Sequence, residues 1–152
     1  LHKPKNSLSV CLLDRARNQD IIYDLRKTGC RIKLIQDCDV TACIATCFPD
    51  CGIDMYIGTG GSPEAVISAA AMKCLGGSLY AFLADKNGFK LNDKVMTIED
   101  LAKGPVMFSA TGITSGQLLE GVKFNIRGPV TNSITMRSDS GTIRRITTEH
   151  GN

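Results

Sequence analysis

Three times within the first 85 residues a short apolar run is followed by a polar, capped run with helical spacing. That alternation constrains the fold more than any other feature of this chain. Ser7 to Leu13 (SLSVCLL) reads as a strand, and from Asn18, a good N-cap, Ile21, Ile22 and Leu25 recur at helical spacing until Gly29 stops the helix. Arg31 to Gln36 alternates basic and apolar residues as a strand does. Asp39 is then read as the cap of a helix through Val40, Cys43, Ile44 and Cys47, which ends at Phe48-Pro49 because proline disfavours helix in the residue before it. Ile53 to Ile57 is a third strand, Gly58-Thr59-Gly60-Gly61 a turn, and Ser62-Pro63-Glu64 opens a helix that runs to Leu75-Gly76-Gly77. Serine as N-cap, proline at the first helical position and glycine past the last turn are its start and stop signals. Strands and helices in this alternation predict an α/β fold: a layered, mostly parallel sheet with flanking helices.

Beyond Ser78 the pattern changes. Leu79 to Leu83 reads as a strand and Thr97 to Lys103 as a short capped helix. Val106–Ala110, Val122–Ile126, Ile134–Arg137 and Thr142–Thr147 read as further strands. Ser138-Asp139-Ser140-Gly141 is a tight turn, so the last two strands are expected to form an antiparallel hairpin. Without repeat, low-complexity tract or linker, residues 1–152 are expected to form a single α/β domain. A chain of about 150 residues buries roughly 70% of the surface it exposes when unfolded, enough for a core without staples. Hydrophobic residues make up 43% of the chain and no apolar run approaches a membrane span, so a soluble domain is expected. The net charge of +3 divides unevenly along the chain but forms no strongly basic stripe, which argues against nucleic acid as a partner. The seven cysteines are odd in number, and they are expected to be free thiols in a reducing cytoplasm. Cys38, Cys43, Cys47 and Cys51 are spaced by five, four and four, which matches neither zinc nor iron–sulfur ligation, and plain packing is the simpler reading.

In an open parallel sheet, ligands bind outside the carboxyl ends of the strands. Three loops fall there. Asp14-Arg15-Ala16-Arg17 carries two arginines that can present planar donor forks to a phosphate, or stand as solvated charges. Asp37-Cys38-Asp39 can accept from sugar hydroxyls, ligate magnesium or cap the next helix. Gly58 to Glu64 is a glycine-rich turn entering a helix N-terminus, where free N–H groups and the helix dipole favour an anion. GTGGSP is neither the dinucleotide fingerprint nor a P-loop, and its first helical turn carries Glu64 rather than a lysine. A carboxylate beside a phosphate site makes chemical sense when a divalent cation lies between them; as a dipole-favoured side chain alone it is worth about 0.3–1 kcal/mol.

Other chemistries find less support. The histidines, His2 and His150, lie at the two ends of the chain, so a Ser-His or Cys-His dyad would have to be built from termini. Cys11 and Arg17 have the spacing of cysteine-dependent phosphatases, but no glycine lies between them to wrap a phosphate. Asp37-x-Asp39-x-Thr41 after an apolar strand looks like the nucleophile motif of haloacid-dehalogenase-type phosphatases, without a convincing later acidic pair for magnesium.

Taken together, VCLLDRARNQDII, GCRIKLIQDCDV, GIDMYIGTGGSPEAVISAAAMKCLGG, FSATGITSGQLLEGVKF and ITMRSDSGTIRRITTEH, in this order, resemble the carboxyl-terminal half of class II fructose-1,6-bisphosphatases, some of which also hydrolyse sedoheptulose 1,7-bisphosphate. The resemblance covers nearly the whole chain and implies the lithium-sensitive, metal-dependent sugar-phosphatase superfamily. It implies Arg15, Ala16, Arg17, Asp37, Cys38, Asp39 and Gly61 as substrate-binding positions and Glu64 as a ligand of Mn2+ or Mg2+. The family pattern has proline and histidine where Ala16 and Asn18 stand, and glycine where Cys38 stands. Ala110-Thr111-Gly112 and Arg137 carry no assigned role.

What the resemblance implies about function is hydrolysis of the 1-phosphate of a sugar bisphosphate, in gluconeogenesis or the Calvin cycle, by a cytoplasmic homo-oligomer. The remaining acidic ligands and the water-activating threonine of the family belong to its amino-terminal half. No catalytic residue is therefore expected within these 152 residues, and the chain, which begins at Leu1, is expected to be the carboxyl-terminal substrate- and metal-binding part of a longer enzyme, inactive by itself. The alternatives are a non-catalytic sugar-phosphate-binding module and an aspartyl-phosphate enzyme using Asp37.

Overall fold

Five consecutive residues, Ser9–Leu13, are buried on both faces and form strand β1. A strand covered from both sides reads in sequence as an unbroken apolar run rather than an alternation. The computed structural model describes residues 3–85 and 88–151. In it β1 is the centre of a three-stranded parallel sheet, flanked by β2 (Arg31–Ile35) and β3 (Met55–Tyr56) in the order β2-β1-β3. Val10 stands opposite Ile32 on one side and Met55 on the other. The Asp54 and Ile57 amides donate to Ser9 and Cys11 carbonyls at 2.9 and 3.0 Å, so the third strand follows β1 over most of its expected length.

Helices α1 (Gln19–Thr28) and α2 (Asp39–Ala45) connect these strands. Because the strand order reverses at β1, right-handed crossovers put α1 and α2 on opposite faces of the sheet. Ala42 and Ala45 of α2 pack on Cys11 and Ile53. Its Ile44 turns the other way, into a second core with Ala71 and Cys74 of α3 (Ser62–Leu75) and with Leu118, Ile134 and Met136. The buried face of α3 is built from small residues and one methionine, Ser68, Ala69, Ala71, Met72 and Cys74. Small side chains let the helices approach closely, and Cys43 Sγ lies 3.5 Å from Met72 Sδ.

Two short strands, β4 (Tyr80–Ala81) and β5 (Met96–Thr97), pair antiparallel before α4 (Ile98–Leu101), which begins with a Thr97–Asp100 capping box. Lys73 ties α4 to α3 through Glu99 Oε2 at 2.8 Å and the Ala102 carbonyl at 2.9 Å. The chain ends in a four-stranded antiparallel sheet of β6 (Met107–Thr111), β7 (Lys123–Asn125), β8 (Gly128–Arg137) and β9 (Ile143–Glu149). The long strand β8 carries β6 and β7 along one edge and β9 along the other. Its Ile134 and Met136 are fully buried against the helices, so α2 and α3 form a layer between the two sheets.

The α/β fold and the β8–β9 hairpin agree with the sequence reading, but the sheet is not mostly parallel: parallel pairing stops at β3, and every later pair is antiparallel among the described residues. Two helix starts also differ. Cys38, not Asp39, occupies the N-cap of α2, and Gly61, not Ser62, that of α3, which puts Pro63 one place further in. No helix among the described residues is long and apolar enough to cross a membrane.

Candidate functional site at the carboxyl edge of the parallel sheet

The loops leaving β1, β2 and β3 meet at one edge, and the reversal of strand order at β1 opens a crevice between the first and third of them. The first loop is tightly wound. The Asp14 amide donates to the Ile35 carbonyl at 2.8 Å, Arg15 N–H to Leu13 at 3.0 Å and Asn18 N–H to Arg15 at 2.9 Å, closing a 3-10 turn over Ala16–Asn18. Asn18 is fully buried; its Nδ2 donates to the Leu13 carbonyl at 2.9 Å, and its Oδ1 has no partner among the described residues. Asn18 occupies the N-cap position of α1 as the sequence predicts, but its side chain makes no capping hydrogen bond and fastens the loop to the strand end. Arg15 and Arg17 then diverge. Arg15 donates to the Gln36 carbonyl and, at 3.4 Å, to that of Asp14, while Arg17 Nε donates to the Thr59 carbonyl at 3.1 Å. One arginine joins the first loop to the second; the other spans the crevice to the third. Ala16 lies exposed between them.

In the second loop Cys38 has φ +62°, the sole non-glycine residue in the left-handed region among the described residues. This bend lets its carbonyl accept from Ala42 N–H at 3.1 Å and Thr41 Oγ1 at 2.8 Å, while Asp39 Oδ1 accepts from Val40 N–H at 2.9 Å. The exposed Cys38 thiol is held protonated above its ordinary range, first by hydrogen bonding to the Asp37 carboxylate and then by partial desolvation and the charges of Asp37 and Asp39.

The third loop needs bare backbone. A β-carbon at Gly60 would stand 3.0 Å from Asp39 Oδ2, and one at Gly61 would collide with the Glu64 carboxylate. The carboxylates of Asp39 and Glu64, from different loops, therefore converge over Gly60 and Gly61 at the N-terminus of the 14-residue α3. Beneath them lies Tyr56, which the sequence reading passed over. Its hydroxyl stands 2.5 Å from where a Gly58 β-carbon would be. Burial, reinforced by the charge of Asp39 and opposed by Arg17, pushes its phenol well above the ordinary range, so the ring is a neutral floor. An aromatic residue at the end of an apolar strand is ordinary core in sequence, and only the neighbouring glycine marks it.

All eight positions singled out in the sequence, Arg15, Ala16, Arg17, Asp37, Cys38, Asp39, Gly61 and Glu64, lie on these three loops or in the first helical turns that they enter, Asp39 in α2 and Glu64 in α3. The competing thiol chemistry finds no such setting. Cys11 is fully buried inside β1 with its thiol raised by desolvation, and burial pushes the Cys43 thiol up to about 11. All seven cysteines are free. No group of three or more His, Cys, Asp or Glu among the described residues is arranged to hold a metal ion. His150 Nε2 pairs with Thr131 Oγ1 at 2.9 Å on the antiparallel sheet, and His2 lies outside the described residues.

Comparison with known proteins adds an independent finding. The family described as bacterial fructose-1,6-bisphosphatase, glpX-encoded, matches residues 1–150. Relatives named D-fructose 1,6-bisphosphatase class 2/sedoheptulose 1,7-bisphosphatase include one from Synechococcus sp. (strain JA-3-3Ab), 36% identical over 173 aligned residues, and one from Synechocystis sp. (strain ATCC 27184 / PCC 6803 / Kazusa), 37% identical over 173. Each alignment covers 99% of this chain and 50% of the relative, so the chain spans about half the length of the curated relatives it matches.

Proposed function

Because the chain belongs to the glpX-type bacterial fructose-1,6-bisphosphatase family, we propose that residues 1–152 form the carboxyl-terminal, substrate-binding part of a metal-dependent sugar bisphosphatase. The substrate is fructose 1,6-bisphosphate, with sedoheptulose 1,7-bisphosphate as the second candidate, and the bond broken is the 1-phosphate ester. The proposal extends to a cytoplasmic homo-oligomer acting in gluconeogenesis or the Calvin cycle, and to the lithium-sensitive sugar-phosphatase fold for the whole protein. The observation that carries it is the meeting at one loop of Arg17, held on the Thr59 carbonyl, with the carboxylates of Asp39 and Glu64 beside the bare backbone of Gly60 and Gly61.

The residues fit a hard divalent cation in part: carboxylate oxygens are the donors magnesium and manganese prefer, and Glu64 leads into the site from the first turn of α3. In this reading Glu64 would hold Mn2+ or Mg2+, which when bound would supply charge neutralisation and polarisation of the phosphoryl group. The chain's own groups bind and orient. The terminal nitrogens of Arg17, free of partners among the described residues, receive phosphate oxygens as charge-assisted donors, and Arg15 braces the loop. The free N–H groups at the start of α3 add their dipole to the same anion. Asp37 and Asp39 accept from sugar hydroxyls.

A complementation assay tests this reading. Joined to the amino-terminal half of the Synechocystis relative, the chain is expected to release phosphate from fructose 1,6-bisphosphate with manganese. Glu64→Gln should lower that rate about 100-fold or more, since loss of a metal contact removes several kcal/mol of transition-state stabilisation. Unchanged turnover in Glu64→Gln would overturn the metal role. Robust turnover by the 152-residue chain alone would overturn the divided site and favour Asp37 as a nucleophile.

A further inference from the structure

Beside the second loop lies a cleft of about 270 Å3 that the sequence reading did not anticipate. Asp37, Cys38 and Thr41 line one wall, and Ser115, Gly116 and Gln117, from the loop between β6 and β7, line the other. It begins where the arginine site ends, since Gln36, whose carbonyl accepts from Arg15, also lines it.

The 115–117 wall is built to stay in place. Gly112 donates to the Asn132 carbonyl at 2.9 Å, Val122 to Ile113 at 3.1 Å, Gly116 to Leu119 at 2.9 Å, and Gly121 to Ser115 Oγ at 3.0 Å. The two flanks of the loop touch backbone to backbone. A β-carbon at Gly121 would stand 2.6 Å from Ser115 N and 2.8 Å from the Ile113 carbonyl oxygen, and one at Gly112 would strike the Glu120 carbonyl. Leu118, next to the tip, is buried in the core with Ile134 and Met136. The polar tip is therefore a preformed surface and loses little freedom when it binds.

The chemistry of the cleft differs from that of the arginine site. No Lys or Arg lines it, and Asp37 gives it negative character, so a phosphate is repelled. Its lining is mostly apolar, with Ile35 and Ala42 among it, and on that surface it offers a carboxamide that donates and accepts, two hydroxyls and a carboxylate. The set suits a polyhydroxyl chain, whose C–H faces rest on apolar surface while its hydroxyls pair with the polar groups. We propose that Ser115 and Gln117 read the sugar hydroxyls of the substrate, with Gln117 the specificity-determining residue and Ser115 a fixed hydroxyl partner. This assignment rests on the sugar-phosphate reading above and deepens it: phosphate is held by the arginine loop and α3, the carbon skeleton by the cleft.

The test is an amide chemical-shift titration of the 152-residue chain with inorganic phosphate and, separately, with fructose 1,6-bisphosphate. Phosphate should shift residues 14–17 and 60–64 and leave 115–117 unmoved, while the sugar bisphosphate should shift all three. Gln117→Ala, at an exposed position, should keep the thermal midpoint and the phosphate affinity and weaken the sugar bisphosphate about threefold to tenfold, the size of one lost hydrogen bond. Gln117→Asn guards against a purely steric effect and is expected to recover part of the loss. If the sugar bisphosphate shifts the arginine and glycine loops but not 115–117, or Gln117→Ala binds both ligands as before, the inference is overturned and the sugar-phosphate reading stands. Binding of neither ligand overturns both.

Discussion

Cys38 is the residue at which sequence and backbone disagree most openly. At φ +62° it pays the left-handed cost of a side chain, about 1–2 kcal/mol, against the 0.5–1 kcal/mol that a glycine loses in backbone entropy. Cys38→Gly is therefore expected to stabilise the chain by about 0.5–1 kcal/mol and raise the thermal midpoint by roughly 1–4 °C, as calorimetry would show. Cys38→Val should lower it; a rise with valine would refute the strain. The loop itself was legible, since a polar Asp-x-Asp after a strand falls at the carboxyl edge whatever its conformation. The bend was not legible, because its usual signal, a glycine, is absent. At Asn18 the N-cap position was legible but the side chain's role was not: nothing local reveals that its amide turns inward to the Leu13 carbonyl.

Among the elements, the loop from Gly112 to Val122 shows how far a tertiary contact can hide from a local pattern. Gly121 reads as a generic turn residue, yet a methyl group there would press on the backbone of Ser115 and Ile113. Gly121→Ala is predicted to lower the midpoint of urea unfolding by an amount matching about 1–3 kcal/mol, the usual cost of overpacking. A midpoint within error of the parent would show the loop to be soft and would remove the rigid wall. The three strand–helix units were legible because each joins a run of one period to a run of another. What was not legible is where parallel pairing ends. Strands β6, β8 and β9 contain no long apolar run, and only the hairpin turn after Arg137 announced a partner. The two missed helix starts are shifts of one residue, in both cases because the backbone of the preceding residue already served as cap.

At the scale of the whole molecule, three aspartates, Asp54 joining distant segments and Asp100 and Asp139 in local contacts, are held below the ordinary carboxylate range. Asp54 is lowered first by Lys3 and then by the Ser9 amide, Asp100 by the Thr97 backbone and hydroxyl, and Asp139 by Arg137. Since their folded pKa values lie below the unfolded value of 3.8, the unfolded chain binds more protons. Their contribution is complete well above pH 4 and is lost as pH falls through the folded values. Stability followed by urea unfolding should be nearly flat in these groups from pH 5 to 7 and drop below about pH 4. In Asp54→Asn the drop should be shallower; an identical profile would show that the Lys3–Asp54–Ser9 contact carries no acid sensitivity.

The central claim is that a sugar bisphosphate is held where the arginine loop meets the glycine turn at the N-terminus of α3. Isothermal titration of fructose 1,6-bisphosphate into the 152-residue chain and its Arg17→Ala variant tests this most directly. Removing a charge-assisted phosphate contact should weaken binding about tenfold or more with the fold intact. Equal affinity in the two proteins, or no binding by either, would contradict it.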